Sequence, residues 1–355
     1  YGKSLLVGGI RDLETVVADI DTTSGTVRER WANTKLNTQN FPYPAPAPVP
    51  GTQDGAVFNT FGYLQAPAVL HVTAKGARKV VDLAHDGSRA LIRKLRPVEP
   101  YRWQAPDGTE IHGWLMRGPG KKPAPLIMEV HGGPISRWAP FFLGRSALHV
   151  MLADRGYAFF WPNPRGSSGR GQDFARAVVG DMGGADTQDY LSGLDQLISD
   201  GIADPKRIGV TGGSYGGFMT LWLITQDSRF AAAVSVAPVT NWVSQHLTSN
   251  LPYFDTFCLG SEYNDPNGNH FGRSPVMHAH RVKTPTLHIC GALDRCTPPG
   301  QALEFHNALR QHGAESVLVT YPYEGHGVRT FPAMIDYAAR ITDWFLKHMP
   351  PRPQH

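Results

Sequence analysis

KRIGVTGGSYGGFMT, residues 206–220, is the stretch on which the reading of this chain turns. Arg207-Ile208-Gly209-Val210-Thr211 reads as a short buried strand, and Phe218 to Ile224 is an apolar run long enough to start a helix. Between them, Gly212-Gly213-Ser214-Tyr215-Gly216 is a G-x-S-x-G at a strand-to-helix junction, the setting of a nucleophile elbow. Such a turn strains the serine backbone and lifts its hydroxyl above the sheet edge. Glycines flank it because a side chain would strike the neighbouring strand and helix. The helix that follows directs its N-terminus at the serine and favours negative charge developing there. The five residues alone read equally well as a tight glycine-rich turn; the strand before and the helix after favour the elbow.

Working outward from the elbow, strands alternate with helices. Strand-like runs are Leu126–Val130, Tyr157–Trp161, Phe230–Val236, Thr286–Cys290 and Ser316–Thr320. Helical spacing marks 145–155, 184–199, 299–312 and 330–348, while 240–282 reads as irregular and rich in aromatics. Tyr101–Ala105 and Glu110–Met116 flank an Asp107-Gly108 turn as a hairpin. This alternation predicts an α/β fold, a doubly wound and mostly parallel sheet, with ligands at the carboxyl ends of the strands.

The amino-terminal part reads differently. Short strand-like runs at 4–7, 15–20, 26–31, 56–58, 68–72 and 79–83 predict β-hairpins in series, of the kind found in a small β-domain or in propeller blades. Pro42 to Pro50 holds five prolines in nine residues and reads as an extended linker or exposed loop. The chain is therefore divided into a β-rich segment, 1–88, and an α/β catalytic domain, 89–355. Fewer than about 100 residues cannot close a propeller of four blades at roughly 40–50 residues each.

The strand ends hold the chemistry. Asp294 follows the strand at 286–290, and His326 follows the strand at 316–320. Ser214, Asp294 and His326 thus occur in the order Ser…Asp…His of α/β-hydrolases. A serine hydroxyl is a weak nucleophile and needs a base. His326 is the candidate base, and Asp294 the acid that fixes its tautomer and stabilises the imidazolium. Alone, Asp294 reads as a turn residue and His326 as a loop histidine; their joint placement makes the triad. Asp255, Asp265 and Glu324 are weaker rivals for the acid, and His288 lies inside a strand, the wrong place for a base. For the oxyanion hole the candidates are the Tyr215 amide and one from His131-Gly132-Gly133-Pro134, with Gly133 preferred over Gly132. A plain Gly-Gly-Pro turn is the alternative.

Composition bounds the rest. In 355 residues, 34 Lys and Arg against 30 Asp and Glu leave a net charge of +4, too small and too scattered for a nucleic-acid stripe. The short basic run Arg89, Arg93, Lys94 and Arg96 reads as a solvated face. No stretch approaches the ~18 apolar residues of a membrane span. Three cysteines, Cys258, Cys290 and Cys296, predict free thiols rather than a disulfide framework, although Cys290 and Cys296 could pair. No Cys/His cluster has zinc-site spacing, so no metal is expected. No signal peptide is visible and the first residue is Tyr1, which leaves the compartment open, with the cytoplasm slightly favoured. A homo-oligomer is also left open.

Residues 97–348 resemble the catalytic domain of the prolyl oligopeptidase family of serine peptidases, in its acylaminoacyl-peptidase branch. The stretches that carry the resemblance are His131–Pro134, Asn163-Pro164-Arg165-Gly166-Ser167, Gly212–Gly217, Ala237-Pro238-Val239 with Trp242, Gly291 with Asp294, and Glu324-Gly325-His326-Gly327. The resemblance implies an α/β-hydrolase fold and cofactor-free cleavage of short peptides or N-acylated amino acids through an acyl-serine. It also implies that Trp242, with Tyr253 and Phe254, lines an apolar acyl or S1 pocket; the residues themselves read equally as core packing. A carboxylesterase acting on small or aryl esters is the alternative activity, and a non-catalytic binding module a third. Family members carry a full β-propeller, of which residues 1–88 resemble only the final part. The chain is thus expected to be either a carboxyl-terminal piece of a longer protein or one with a truncated propeller.

Overall fold

The computed structural model describes residues 3–38, 46–50, 55–120, 122–143, 147–251 and 253–351. In the amino-terminal segment, β1 (Ser4–Arg11), β2 (Glu14–Asp21) and β3 (Val27–Asn33) form a three-stranded antiparallel sheet. A second antiparallel sheet contains β4 (Asn37–Thr38), β5 (Ala47–Pro48), β6 (Ala56–Gly62), β7 (Gln65–Thr73) and β8 (Gly76–Asp82). The hairpins expected from the sequence are present. Part of the proline-rich stretch, Pro42 to Pro44, lies outside the described residues. The part beyond it is not a free linker: Ala47 and Pro48 pair with Val57 and Ala56. Proline is tolerated there because β5 is an edge strand, where the missing N–H faces no partner.

Helix α1 (Asp86–Ile92) then leads into an eight-stranded sheet. Its strands are β9 (Val98–Gln104), β10 (Glu110–Met116), β11 (Ala124–Val130), β12 (Ala158–Asn163), β13 (Ala203–Gly213), β14 (Phe230–Val236), β15 (Thr286–Gly291) and β16 (Ser316–Tyr321). Their order is β16-β15-β14-β13-β11-β12-β10-β9. The six strands from β11 to β16 run parallel, and β10 joins β12 and β9 antiparallel. This is the α/β-hydrolase fold. Helices α2 (Ala147–Asp154), α3 (Gln172–Arg176), α4 (Ala185–Ser199), α5 (Tyr215–Gln226), α6 (Trp242–Thr248), α7 (Phe254–Leu259), α8 (Asn269–Gly272), α9 (Gly300–Gln311) and α10 (Ala333–His348) complete it.

The central strands are mostly apolar because both faces are covered, with few polar positions such as Glu129 in β11 and Ser235 in β14. In β11, Leu126, Met128 and Val130 enter one core with Tyr190 and Leu194 of α4, Phe218 and Leu221 of α5, and Phe305 of α9. Ile127 enters the other core, with Leu152 of α2 and Ile341 and Phe345 of α10. β13 and β11 lie at the centre of the sheet, so the elbow at the end of β13 sits over its middle.

Two expectations are corrected. Residues 240–282 are not irregular: they fold into α6, α7, α8 and a 3-10 turn at Pro275–Arg281. These helices are 4 to 7 residues long, too short for an apolar period to register in sequence. Arg96 is not part of a solvated face. Its guanidinium donates to the carbonyls of Arg117 (2.6 Å), Ala153 (2.8 Å) and Tyr157 (2.6 Å), tying the chain after α1 to the loop beyond β10 and to the end of α2. The β-rich segment packs on the α/β body. Tyr63 lies 5.4 Å from the Trp114 ring and 5.5 Å from Trp161, and the Asp12 carboxylate meets Arg102 and His112 of β9 and β10.

Candidate active site

Ser214 lies between β13 and α5 with φ 61° and ψ −123°, a conformation that costs a side-chain-bearing residue energy. The surrounding backbone imposes it. The Ser214 amide donates to the Val236 carbonyl at 3.0 Å, and the Ser214 carbonyl accepts from Phe218 at 2.9 Å. A Cβ at Gly212 would stand 2.5 Å from the Gly216 carbonyl oxygen, one at Gly216 only 2.3 Å from that of Val130, and one at Gly217 2.7 Å from that of Val236. Gly213 has nothing nearer than 3.8 Å. The crowding glycines are therefore 212, 216 and 217.

Tyr215 opens α5, so its amide has no carbonyl one turn back to bind. Its side chain turns away from Ser214 and donates to the buried Asp186 carboxylate at 2.6 Å. Burial pushes Asp186 up to about 6, against the opposing effect of the Tyr215 bond. The Tyr215 hydroxyl is thereby engaged away from the elbow. The 131–134 loop lies over the elbow: a Cβ at Gly132 would stand 3.3 Å from the Gly213 oxygen and 3.6 Å from the Ser214 Cβ. Gly133 has φ 126°, a conformation open only to glycine. His131 anchors this loop. Its Nδ1 lies 2.7 Å from the Gly132 oxygen and its Nε2 3.0 Å from Ser167 Oγ. Burial lowers the His131 pKa to about 4, so the ring is neutral, with Nδ1 donating to the carbonyl and Ser167 donating to Nε2. The sequence reading held His131 only as part of a motif; Ser167 as its partner had no signal.

Asp294 sits beyond β15 and His326 beyond β16, and the two loops touch. A Cβ at Gly291 would come within 2.3 Å of the carbonyl oxygens of Glu324 and Gly325. The amide of Leu293 donates to the Glu324 carbonyl at 2.9 Å. Asp294 Oδ2 accepts from His326 Nδ1 at 2.8 Å and from Thr297 Oγ1 at 2.9 Å. Its Oδ1 accepts from the amides of Cys296 (2.8 Å) and Thr297 (3.0 Å). Burial would raise the Asp294 pKa, but these bonds, led by that from His326, outweigh it and hold the carboxylate ionised. In turn the bonds to Asp294 and to the Cys296 side chain lift the His326 pKa well above the ordinary imidazole value, against burial.

A line of hydrogen bonds joins this pair to the elbow. Thr297 Oγ1 also lies 2.9 Å from the Ala237 carbonyl, so its single proton is shared between Asp294 Oδ2 and the strand end one residue after the carbonyl that holds the Ser214 amide. Ala237 itself has φ 45°. Among the described residues no hydrogen bond joins Ser214 Oγ to the His326 ring; in free hydrolases such contacts are commonly long and tighten when substrate binds.

The rival acids are engaged elsewhere. Asp255 accepts from His246 and His270, Asp265 from the Asn267 amide, and Glu324 from Arg329 and Thr330. His288 is buried in β15 against Ser235 Oγ at 2.9 Å. The three cysteines are free thiols. The three aromatics named for a substrate pocket sit at different depths. Trp242 is 1 % exposed and packs 5.0 Å from Phe218; Phe254 is half-buried 6.5 Å from Trp242; Tyr253, with φ 65°, is 75 % exposed. The buried Trp242 Nε1–H has no partner among the described residues.

Known proteins align with this arrangement. An uncharacterized peptidase of Bacillus subtilis (strain 168), YuxL, is 39% identical over 264 residues, which are 71% of this chain and 39% of that protein. The acylamino-acid-releasing enzyme of Arabidopsis thaliana is 34% identical over 233 residues, 63% of this chain and 30% of that protein. The chain thus spans 30% to 39% of the length of these curated relatives. Among solved structures, the Pyrococcus horikoshii acylaminoacyl peptidase superposes with a TM-score of 0.84 at 26% identity, covering 100% of this chain and 55% of that one. An acylaminoacyl peptidase in complex with Z-Gly-Gly-Phe-chloromethyl ketone superposes with a TM-score of 0.80 at 26% identity, covering 100% of this chain and 57% of that one. The model of the prolyl oligopeptidase family matches residues 145–351, more than half of the chain and all of the elements that carry Ser214, Asp294 and His326. On that match the chain belongs to the prolyl oligopeptidase family.

Proposed function

We propose that this chain carries the catalytic machinery of a serine peptidase that cleaves short peptides or N-acylated amino acids. The observation that carries the reading is the buried Asp294 holding His326 through Nδ1 at 2.8 Å, bonded through Thr297 to the strand end that holds the strained Ser214. With Nδ1–H donated to Asp294, His326 presents Nε2 as the base. Ser214 Oγ attacks the scissile carbonyl carbon as its proton passes to Nε2. The Tyr215 amide, and that of Gly133 in the loop above, receive the charge on the carbonyl oxygen. The imidazolium then gives its proton to the leaving amine, and the C–N bond breaks to leave an acyl-serine. Water, deprotonated by the same nitrogen, releases the acyl group. The printed names of the relatives, acylamino-acid-releasing enzyme and acylaminoacyl peptidase, support N-acylated substrates. Trp242, Phe254 and Tyr253 are proposed as the wall that receives an apolar side chain.

The test compares an acetyl-aminoacyl anilide, an aminoacyl anilide and an aryl ester. The anilides should turn over, and Ser214→Ala should lose both turnover, by at least about 10⁴-fold, and fluorophosphonate labelling. Ester cleavage without anilide turnover would make the protein a carboxylesterase instead, and normal turnover by Ser214→Ala would remove Ser214 from the mechanism.

A further inference from the structure

Among the described residues, one cluster away from the elbow brings together side chains able to ligate a metal. His246 of α6, Asp255 of α7 and His270 of α8 place their ligating atoms within 4.8 Å of one another. Asp255 Oδ2 lies 2.8 Å from His246 Nδ1 and 2.9 Å from His270 Nε2. Asp255 and His270 are buried, and the His246 side chain is 19% exposed, which leaves one approach from solvent. Both imidazoles are held from behind. The Tyr263 ring stacks on His246 at 4.5 Å and 13°, and Ser261 Oγ lies 3.0 Å from His270 Nδ1.

We propose that His246 Nδ1, His270 Nε2 and Asp255 Oδ2 form a binding site for one divalent transition cation, zinc foremost, with water completing the coordination. Two imidazoles and a carboxylate are a donor set that zinc accepts. Tetrahedral zinc with bonds of about 2.0–2.1 Å sets its ligand atoms about 3.3 Å apart, so the two contacts to Asp255 widen by about half an ångström while the two imidazole nitrogens, within 4.8 Å of each other, draw together. The proton balance closes without an outside base. Each ring that binds the ion through the nitrogen facing Asp255 carries its proton on the other nitrogen. On His270 that N–H donates to Ser261 Oγ. The sequence reading found no zinc-site spacing because the three ligands come from separate short helices. An occupied site clamps together α6, α7 and α8, the helices that carry or adjoin Trp242, Tyr253 and Phe254. The inference does not depend on the proposed peptidase activity.

The test is calorimetric titration of chelator-treated, dialysed protein with zinc chloride, with cobalt(II) as a coloured reporter. One equivalent should bind with a Kd of about 10 µM or tighter. Zinc should raise the Tm, and cobalt should give visible ligand-field bands. His246→Ala, at the rim of the cluster, should weaken binding at least tenfold, while His326→Ala should bind as wild type does. Ser261→Ala, which removes the partner of His270 Nδ1 and of the His270 amide, should weaken binding about tenfold and keeps the test decisive should His246→Ala not fold. Absence of binding at that level, or affinity unchanged by both His246→Ala and Ser261→Ala, would overturn the proposal. So would binding lost in His326→Ala and kept in His246→Ala, which would place the ion at the active site.

Discussion

The elbow and the wall of short helices beside it are held by opposite means. At the elbow, backbone meets backbone. Gly212, Gly216 and Gly217 leave no room for a methyl group, and Ser214 takes a left-handed φ because its neighbours over-determine it. In the wall, side chains do the fastening. Asn241 caps α6 and donates to Glu304, Gln301 accepts from the Thr240 and Asn241 amides, and Asp255 gathers two histidines. A backbone-built site tolerates almost no substitution and keeps the reacting atoms in place. A side-chain-built wall can be re-cut one residue at a time, as a pocket that sets specificity requires.

That contrast can be broken, and the sharpest attempt is at the acid. Asp294→Asn keeps the shape but removes the charge that holds His326, and kcat should fall about 10⁴-fold. The carboxylate raises the His326 pKa, and only neutral imidazole can act as base, so wild-type activity is lost as pH falls through that pKa. In Asp294→Asn the acid limb of the residual activity should move to lower pH. A limb that stayed in place would mean that another group governs it.

A smaller effect is expected from the glycines, and it compares two neighbours directly. Gly216→Ala pushes a methyl group to 2.3 Å from the Val130 carbonyl oxygen and should cost about 1–3 kcal/mol, with a large loss of turnover. Gly213→Ala meets nothing nearer than 3.8 Å and should leave both within a small margin. Denaturant melts of the two variants decide it: equal losses would mean that close approach is not what the glycines provide. The smallest effect belongs to the wall. Tyr253 is 75 % exposed, so Tyr253→Ala should leave the Tm within about 1–2 °C. KM for an aromatic acyl-anilide should change several-fold while kcat stays near wild type. A loss confined to kcat would take Tyr253 out of the pocket.

Legibility in the sequence follows the same division. The parallel strands are readable because burial on both faces makes them predominantly apolar, as in Leu126–Val130 and Phe230–Val236, each with a single polar residue. The elbow was readable because close backbone contact leaves glycine as its trace. The Asp294 and His326 loops were found through their place after β15 and β16 and their order in the chain. What sequence did not give is long-range side-chain bonding. Arg96 reaches carbonyls as many as 61 residues away, Ser167 meets His131 across 36, and Thr297 links Asp294 to Ala237 across 60. None of these leaves a local period. Gly213 misled in the other direction: the doubled glycine before Ser214 implies two steric demands where the structure has one.

Gly291 carries a consequence for transplantation. It lets the backbone before Asp294 rest on the carbonyls of Glu324 and Gly325, so the acid and the base, 32 residues apart, share one seat. A chimera that takes 291–297 from one relative and 321–327 from another inherits a mismatched joint, even when Asp and His are both present. The two loops are a single exchangeable cassette, to be moved together with the ends of β15 and β16. Among the described residues, the wall at 240–282 meets it through hydrogen bonds to the Arg295 and Cys296 carbonyls, which any backbone at those positions can supply.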